Sequence, residues 1–198
     1  MQKIILASTS LARQSLAKTM GLDFEVVGSS YVEDMTLKLL PKELVVELAF
    51  GKANNVAKKF TDGVVIGIDT IVSFEGKVFG KPKDASEARA MLKMLSGKHH
   101  EIYSGIVLIN CKTGKIVKDF EVTKVYFKKL SEKEISKYVK TKEPLGKAGS
   151  YAIQGLASIF IERIDGSYFN VVGFPVHSIY KNLEKIGVDI FEHQKWKV

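Results

Sequence analysis

Short apolar runs alternate with amphipathic stretches through the first half of the chain. Ile4–Ala7 is uniformly apolar and reads as a buried first strand. Ser10 can cap a following helix whose apolar face includes Leu11, Leu16 and Met20, with Gly21 closing it. Phe24–Val27 reads as a second strand. After Pro41 a long helical pattern puts Leu44, Leu48 and Val56 on one line. Val64–Ile68 is another buried strand, and Ile71–Phe79 a hairpin turning at Glu75-Gly76-Lys77. Asp84-x-x-Glu87 has the form of a capping box and opens a helix through Leu95. Two alternating runs, Ile102–Ile109 and Ile116–Leu130, flank the turn Lys112-Thr113-Gly114-Lys115 and predict an antiparallel hairpin. A second capping box, Ser131-x-x-Glu134, starts a helix ending near Lys140. A glycine-containing loop leads to a strand at Ser158–Ile164, a turn at Asp165-Gly166 and a last helix at Val176–Ile186. Long hairpins in the middle of a strand–helix alternation favour a mixed sheet with helices packed on it over a purely parallel one.

At 198 residues, with 45% hydrophobic and 26% charged positions, the chain fits a single globular domain over residues 1–198, built of two lobes. Lys+Arg 30 against Asp+Glu 22 leaves a net charge of +8, which suits a polyanionic partner without choosing among nucleic acid, a phosphorylated metabolite or an anionic surface. The single cysteine, Cys111, cannot close an internal disulfide, and a reducing compartment is the simple reading. No apolar run reaches the ~18–20 residues that cross a bilayer, and MQKIILAS lacks the core of a secretion signal. A soluble cytoplasmic protein without membrane association is expected.

Candidate chemistry lies at three places. Ser8-Thr9-Ser10-Leu11-Ala12-Arg13 spans the passage from strand to helix, where free N–H groups and the helix dipole favour an anion. Arg13 in the first turn opposes that dipole unless an anion is bound; otherwise it is a solvated side chain and Ser10 merely a cap. Lys52, four residues from both Leu48 and Val56, falls on the apolar stripe of its helix. It either snorkels or points toward negative charge. In Val64-Val-Ile-Gly67-Ile-Asp69-Thr70, a carboxylate ending a buried strand requires a partner, a metal or a cleft. Gly67, on the same face, would leave room for a ligand. Such an aspartate can bind a divalent ion, accept a proton from water, or simply form a turn. Lys81 in Gly-Lys-Pro, Lys147 in Gly-Lys-Ala-Gly, and Glu33 beside Asp34 are weaker candidates. No phosphate-binding P-loop, dinucleotide fingerprint, zinc spacing or serine-nucleophile elbow occurs.

Seven blocks in order, among them Leu6-Ala-Ser-Thr-Ser-Leu-Ala-Arg13, Ala49-x-x-Lys52-Ala53, Gly67-Ile-Asp69-Thr70, Gly80-Lys-Pro82, Leu95-Ser-Gly-Lys-His-His100, Lys142–Gly155 and Val172-Gly-Phe-Pro175, resemble the Maf family of nucleoside triphosphate pyrophosphatases. The resemblance implies an elongated α/β fold around a mixed, bent sheet with a cleft between two lobes. It also implies hydrolysis of a nucleoside triphosphate to monophosphate and pyrophosphate, assisted by a divalent cation such as Mg or Mn. By the same resemblance Asp69 is the proton acceptor, acting directly or through a metal held with Glu33. The resemblance makes Ser8, Arg13, Glu33, Lys52 and Lys81 phosphate or metal contacts and places Ala12, Thr70 and Gln154 at specificity positions, and Ser10 and Lys147 are expected to bind substrate beside them. Thr70 and Gln154 agree with the branch that prefers dTTP and UTP. Ala12 stands where that branch commonly has arginine, and Gly146 where the family often has aspartate. The rival reading is a basic nucleotide- or nucleic-acid-binding regulator. Dispersed Lys/Arg residues without interleaved aromatics speak against a stable nucleic-acid partner, and the features leave room for a homodimer.

Overall fold

A computed structural model of the chain describes residues 2–193. The first strand β1 (Ile4–Leu6) is followed by α1 (Leu11–Thr19), β2 (Glu25–Val26), α2 (Pro41–Ala57) and β3 (Val64–Phe74). β1 pairs in parallel with β2 and with β3, Ile5 lying opposite both Glu25 and Val65. β3 turns back antiparallel into β4 (Lys77–Phe79), and then come α3 (Ala85–Leu95), β5 (His99–Asn110) and β6 (Ile116–Phe127). The remainder is α4 (Glu132–Lys140), β7 (Ile161–Asp165), α5 (Tyr168–Val172) and α6 (Val176–Ile186). The pairing order is β2-β1-β3-β5-β6-β7, with β4 joined to β3, and β7 runs antiparallel to β6. The expected mixed sheet with flanking helices is the architecture found.

The chain divides into two compact units. The first takes the described residues up to Thr70, then Ser104–Glu121 and the residues from Gly173 on; the second takes Ile71–Tyr103 and Val122–Val172. In the first unit, strand alternation sorts the core into two layers. Ile4, Leu6, Ile66, Ile68, Ile106 and Leu108 face one way, onto α1 and the α6 residues Ile179 and Leu183. Ile5, Val65, Val107 and Ile109 face the other, onto Ala49, Ala53 and Val56 of α2. Two glycines set the spacing of this second layer. A Cβ on Gly67 would lie 2.4 Å from the Ala49 carbonyl oxygen, and one on Gly105 would lie 2.1 Å from that of Val45. The α2 backbone therefore rests directly on β3 and β5, and only glycine permits that approach. The room beside Gly67 that a ligand was expected to use is filled by α2.

In the second unit α3 and α4 pack with β-strand residues around Leu92, Leu95, Phe127, Tyr138 and Phe160. Both capping boxes predicted their helices. Asp84 Oδ1 accepts the Glu87 N–H at 2.8 Å, and the Ser131 and Glu134 side chains each accept the other's backbone N–H, at 3.2 and 2.8 Å. His100 is 1% exposed among Phe127 and Tyr151, edge-on to both rings. Burial, assisted by the neighbouring His99, pushes its imidazole down to about 3 from the usual 6.5.

Three expectations are corrected. β3 does not stop at Ile68 and resume at Ile71; it runs unbroken to Phe74, because its neighbours bury it along nearly the whole length, and Asp69 lies within the strand rather than at its end. Leu11 is 81% exposed, since five residues of helix turn it about 140° away from Leu16, which packs on the core. The stretch predicted as strand from Ser158 begins as a 3₁₀ turn over Leu156–Phe160, and pairing starts only at Ile161. The Glu143 carboxylate accepts the Leu156 and Ala157 N–H groups at 3.0 and 3.3 Å, favouring the helical turn there.

Two measurements check this packing. Gly67→Ala forces α2 off β3 and should cost about 1–3 kcal/mol in urea unfolding. Gly80→Ala, with nothing within 4 Å of the added Cβ, should stay within about 0.5 kcal/mol; equal costs at the two sites would refute the close approach. Above pH 6.5 His100 is neutral in folded and unfolded chains and adds no pH dependence. Below it the unfolded chain binds a proton that the folded chain refuses until about pH 3, so stability falls with falling pH. His100→Leu should flatten that loss by about 1.4 kcal/mol per pH unit between pH 6 and pH 4, and unchanged slopes in urea titrations would contradict it.

Candidate active site

Ligands of open α/β sheets sit outside the carboxyl ends of parallel strands, where successive connections leave in opposite directions. β1 is such a strand. Its connection through α1 leads to β2 on one side, and the return through α2 leads to β3 on the other. β1 ends at Leu6 opposite Ile66, while β3 continues past it through Asp69 and Thr70. Alternation along β3 sends Asp69 to the α2 face with Gly67, and Thr70 to the α1 face with Ile68.

On the α2 face, Lys52 does not snorkel. Its ammonium contacts Asp69 Oδ1 and lies 2.7 Å from Glu33 Oε1. The side chains are 15% exposed for Lys52, 8% for Asp69 and 44% for Glu33, so one cation is held between a buried carboxylate and a half-exposed one. Glu33 arrives on the irregular segment after β2, which is docked on α2. Asn55 Oδ1 accepts the Ser30 N–H at 3.0 Å and faces the Ser29 and Ser30 hydroxyls at 3.2 Å. The Tyr31 ring lies so close to Gly51 that an added Cβ would be 2.3 Å from it. Gly51, Tyr31 and Asn55 thus set where Glu33 reaches. They escaped the sequence reading because an interior helix glycine has no motif; its mismatch with helix propensity was the available signal.

On the α1 face, Arg13 is a cross-link. Its Nε donates to the Gly173 carbonyl at 2.8 Å, Nη1 to the Ile68 carbonyl at 2.9 Å and the Ser8 hydroxyl at 3.3 Å, and Nη2 to Thr70 Oγ1 at 3.0 Å. Burial lowers the guanidinium from its ordinary value, and the charges of Asp69 and Glu33 pull it back up. Thr70 Oγ1 also lies 2.9 Å from the hydroxyl of Ser104, a fully buried residue of β5. Gly173 approaches this cluster at φ 96, a Cβ there falling 3.3 Å from Thr70 Oγ1. Ser104 and Gly173 are positioning groups that the sequence reading left without a role.

Ser10 occupies the N-cap of α1, but its hydroxyl makes no capping bond; its N–H instead donates to Ser8 Oγ at 3.3 Å. The first turn of α1 contains no acid and does contain Arg13, so the positive end of the helix is not offset by its own side chains. Ala12 is half-buried in that turn. Ser8, Arg13, Glu33, Lys52, Asp69 and Thr70 thereby come together in the first unit.

Lys81, Lys147 and Gln154 belong to the second unit, all exposed. The loops bearing the two lysines are joined there by the Gly149 N–H donating to the Gly80 carbonyl at 3.1 Å. A concavity of about 510 Å³ beside the Glu75-Gly76 turn, lined by Ser73, Lys98, His99 and Glu101, contains none of the candidate residues. Among the described residues no group of three or more His, Cys, Asp or Glu side chains gathers as a metal cluster. Glu33 and Asp69 nevertheless offer converging hard oxygen donors where a cation already sits. A magnesium-type ion is commonly held by one or two carboxylates plus phosphate oxygens and water, so the donor set fits such an ion.

Lys52 and Asp69 should be energetically coupled. Lys52→Met leaves Asp69 buried beside Glu33 without its counter-charge, whereas Asp69→Asn removes both the charge and the need for one. A double-mutant cycle in urea should return a coupling of about 1–3 kcal/mol; additive losses would show the contact to be energetically idle.

The family model described as "Maf-like protein" matches residues 3–186. A dTTP/UTP pyrophosphatase of Alkaliphilus oremlandii (strain OhILAs) is 47% identical over 194 residues, covering 98% of this chain and 97% of the relative. Proteins of the same name from Thermoanaerobacter sp. (strain X514) and Bacillus cereus (strain AH820) are 48% and 44% identical, covering 92% and 96% of this chain and 96% and 98% of theirs. With the model covering nearly the whole length and relatives this similar end to end, the chain belongs to the Maf family.

Proposed function

We propose that this chain hydrolyses nucleoside triphosphates to the monophosphate and pyrophosphate, with dTTP and UTP preferred. The observation that carries the reading is the Lys52 ammonium held between Asp69 and Glu33, beside a helix N-terminus whose first turn holds Arg13 rather than an acid. A triphosphate brings several negative charges that must be neutralised while its α-phosphorus is attacked. Positive groups already fixed in place stabilise the charge that develops without having to reorganise.

In the proposed reaction the oxygen of a water bonds to the α-phosphorus. The bond from that phosphorus to the α–β bridging oxygen breaks, and pyrophosphate leaves with the bridging oxygen. Asp69, tied by Lys52, orients the water or takes its proton. Lys52 balances the charges of Asp69 and Glu33. Arg13 frames the site: with four of its N–H groups bonded inside the protein, it acts on phosphate chiefly through its charge and by holding Ser8, Thr70 and Gly173 in register. Glu33 and Asp69 would hold a divalent ion, which when bound would polarise phosphate oxygens. Lys81 and Lys147 are assigned to phosphate. Gln154 is assigned to the base, since its amide offers one donor side and one acceptor side to the matching edge of uracil or thymine. Thr70, its hydroxyl engaged by Arg13 and Ser104, supports base selection by position. Ala12 in place of an arginine is read as relaxing that selection. The whole chain is read as one domain of two lobes acting in the cytoplasm.

Purified protein should release pyrophosphate from UTP and dTTP faster than from GTP or ATP, and only with Mg²⁺ or Mn²⁺ present. Asp69→Asn should lower kcat by about 10²–10⁴-fold with the fold retained by circular dichroism. A variant turning over at near wild-type rate would remove Asp69 from the chemistry.

A further inference from the structure

The segment between α4 and β7 carries two side chains assigned to substrate, Lys147 and Gln154, both exposed. Between them the backbone dips inward, and Gly149, Ser150 and Tyr151 are buried. Gly149 and Ser150 both take left-handed conformations, at φ 65 and φ 67, the second on a residue that adopts it reluctantly. The inward end of this dip is the Tyr151 hydroxyl, 2.7 Å from His100 Nε2, with the Tyr151 ring centroid 4.9 Å from that of Phe127.

The His100–Tyr151 pair is an expensive way to fill an aromatic core. His100 Nδ1 is buried without a hydrogen-bond partner. If the tyrosine donates to Nε2, the orphan is an N–H; if the imidazole donates, the orphan is a lone pair. Either arrangement leaves a polar atom unsatisfied, whereas two apolar residues of similar shape would not. A hydrogen bond does what apolar contact does not: it fixes the depth and direction of the ring that carries it.

We propose that His100 and Tyr151 are positioning residues for substrate selection. Their hydrogen bond pegs the loop at Tyr151 and so sets the placement of Lys147, four residues before, and Gln154, three residues after. This rests on the reading of Gln154 as the base-recognising side chain. The left-handed Gly149–Ser150 pair gives the chain the sharp inward bend that the peg requires. The Gly149 N–H bond to the Gly80 carbonyl carries the same placement to the loop of Lys81.

The test compares wild-type protein, Tyr151→Phe and the double variant His100→Leu/Tyr151→Phe. The double variant removes both polar groups together and should melt at or near the wild-type temperature. Amides of residues 147–155 should nevertheless exchange with deuterium about fivefold faster in both variants, the equivalent of one lost hydrogen bond. The KM for UTP should rise several-fold while kcat stays within about twofold, and the preference for UTP over GTP should shrink. Wild-type exchange rates in the variants, or an unchanged KM and UTP/GTP ratio in a wild-type enzyme that does discriminate, would overturn the proposal. If wild-type protein shows no base preference, the reading of Gln154 fails, and the exchange rates alone decide whether the peg exists: faster exchange supports it and unchanged exchange overturns it.

Discussion

The contact on which the site depends is the bare packing of α2 against β3 and β5. Helices ordinarily ride on a sheet at a distance set by interdigitating side chains. Gly67 and Gly105 remove that spacer at two points, and the Ala49 and Val45 carbonyls descend onto the strands. Lys52, one turn further along α2, is then near enough to β3 for its ammonium to reach Asp69, two residues beyond Gly67 on the same face. With ordinary side chains at 67 and 105, α2 would stand off and the lysine would have to bridge a gap or turn to solvent. The Lys52–Asp69 contact is thus set by two residues that take no part in it.

Period-two alternation then divides the work between the faces of the sheet. Asp69 faces α2 and is balanced by Lys52; Thr70 faces α1 and is held by Arg13 and Ser104. Adjacent residues on one strand therefore answer to opposite layers of the protein. Arg13 joins the layers electrostatically as well, since its charge is favoured by Asp69 and Glu33 against the cost of its burial. Two cations and two carboxylates in one region nearly cancel. On the proposed reading, the end of α1, without a side-chain cap or acid in its first turn, adds to the two cations in attracting an anion.

Much of this was legible in the sequence where a residue stood out of pattern. A lysine on the apolar stripe of α2, an arginine in the first turn of a helix and an aspartate in a buried apolar run each violate a local rule, as is expected at functional or strained sites, and the structure brings the three together. Helix starts with capping boxes were equally readable, as was α6, because cap chemistry and amphipathic period act over a few residues. What escaped was set by distant partners. Gly67 read as an opening for ligand, because nothing along the chain says that α2 will occupy the space. Asp69 read as a strand end, since a carboxylate looks terminal until a lysine 17 positions earlier makes it tolerable mid-strand. Ser104 and Gly173 carry no signal of their own; they matter because Arg13 and Thr70 meet them.

The same logic separates Arg13 from Lys52. A guanidinium recognises phosphate best when its planar fork is free to donate in pairs. Arg13 spends that fork on two carbonyls and two hydroxyls, which makes it a rigid frame with a long-range charge. An ammonium is a compact charge that exchanges partners at low geometric cost. On the proposed reading, Lys52, sitting between carboxylates, would adjust its partners when phosphate oxygens compete for its ammonium or a divalent ion competes for Glu33 and Asp69. Asp69 is held deep, whereas Glu33 is the more exposed arm of the pair. On that reading, Glu33 is the carboxylate that an arriving cation would meet first, and Asp69, the second donor, keeps Lys52 within reach as a counter-charge.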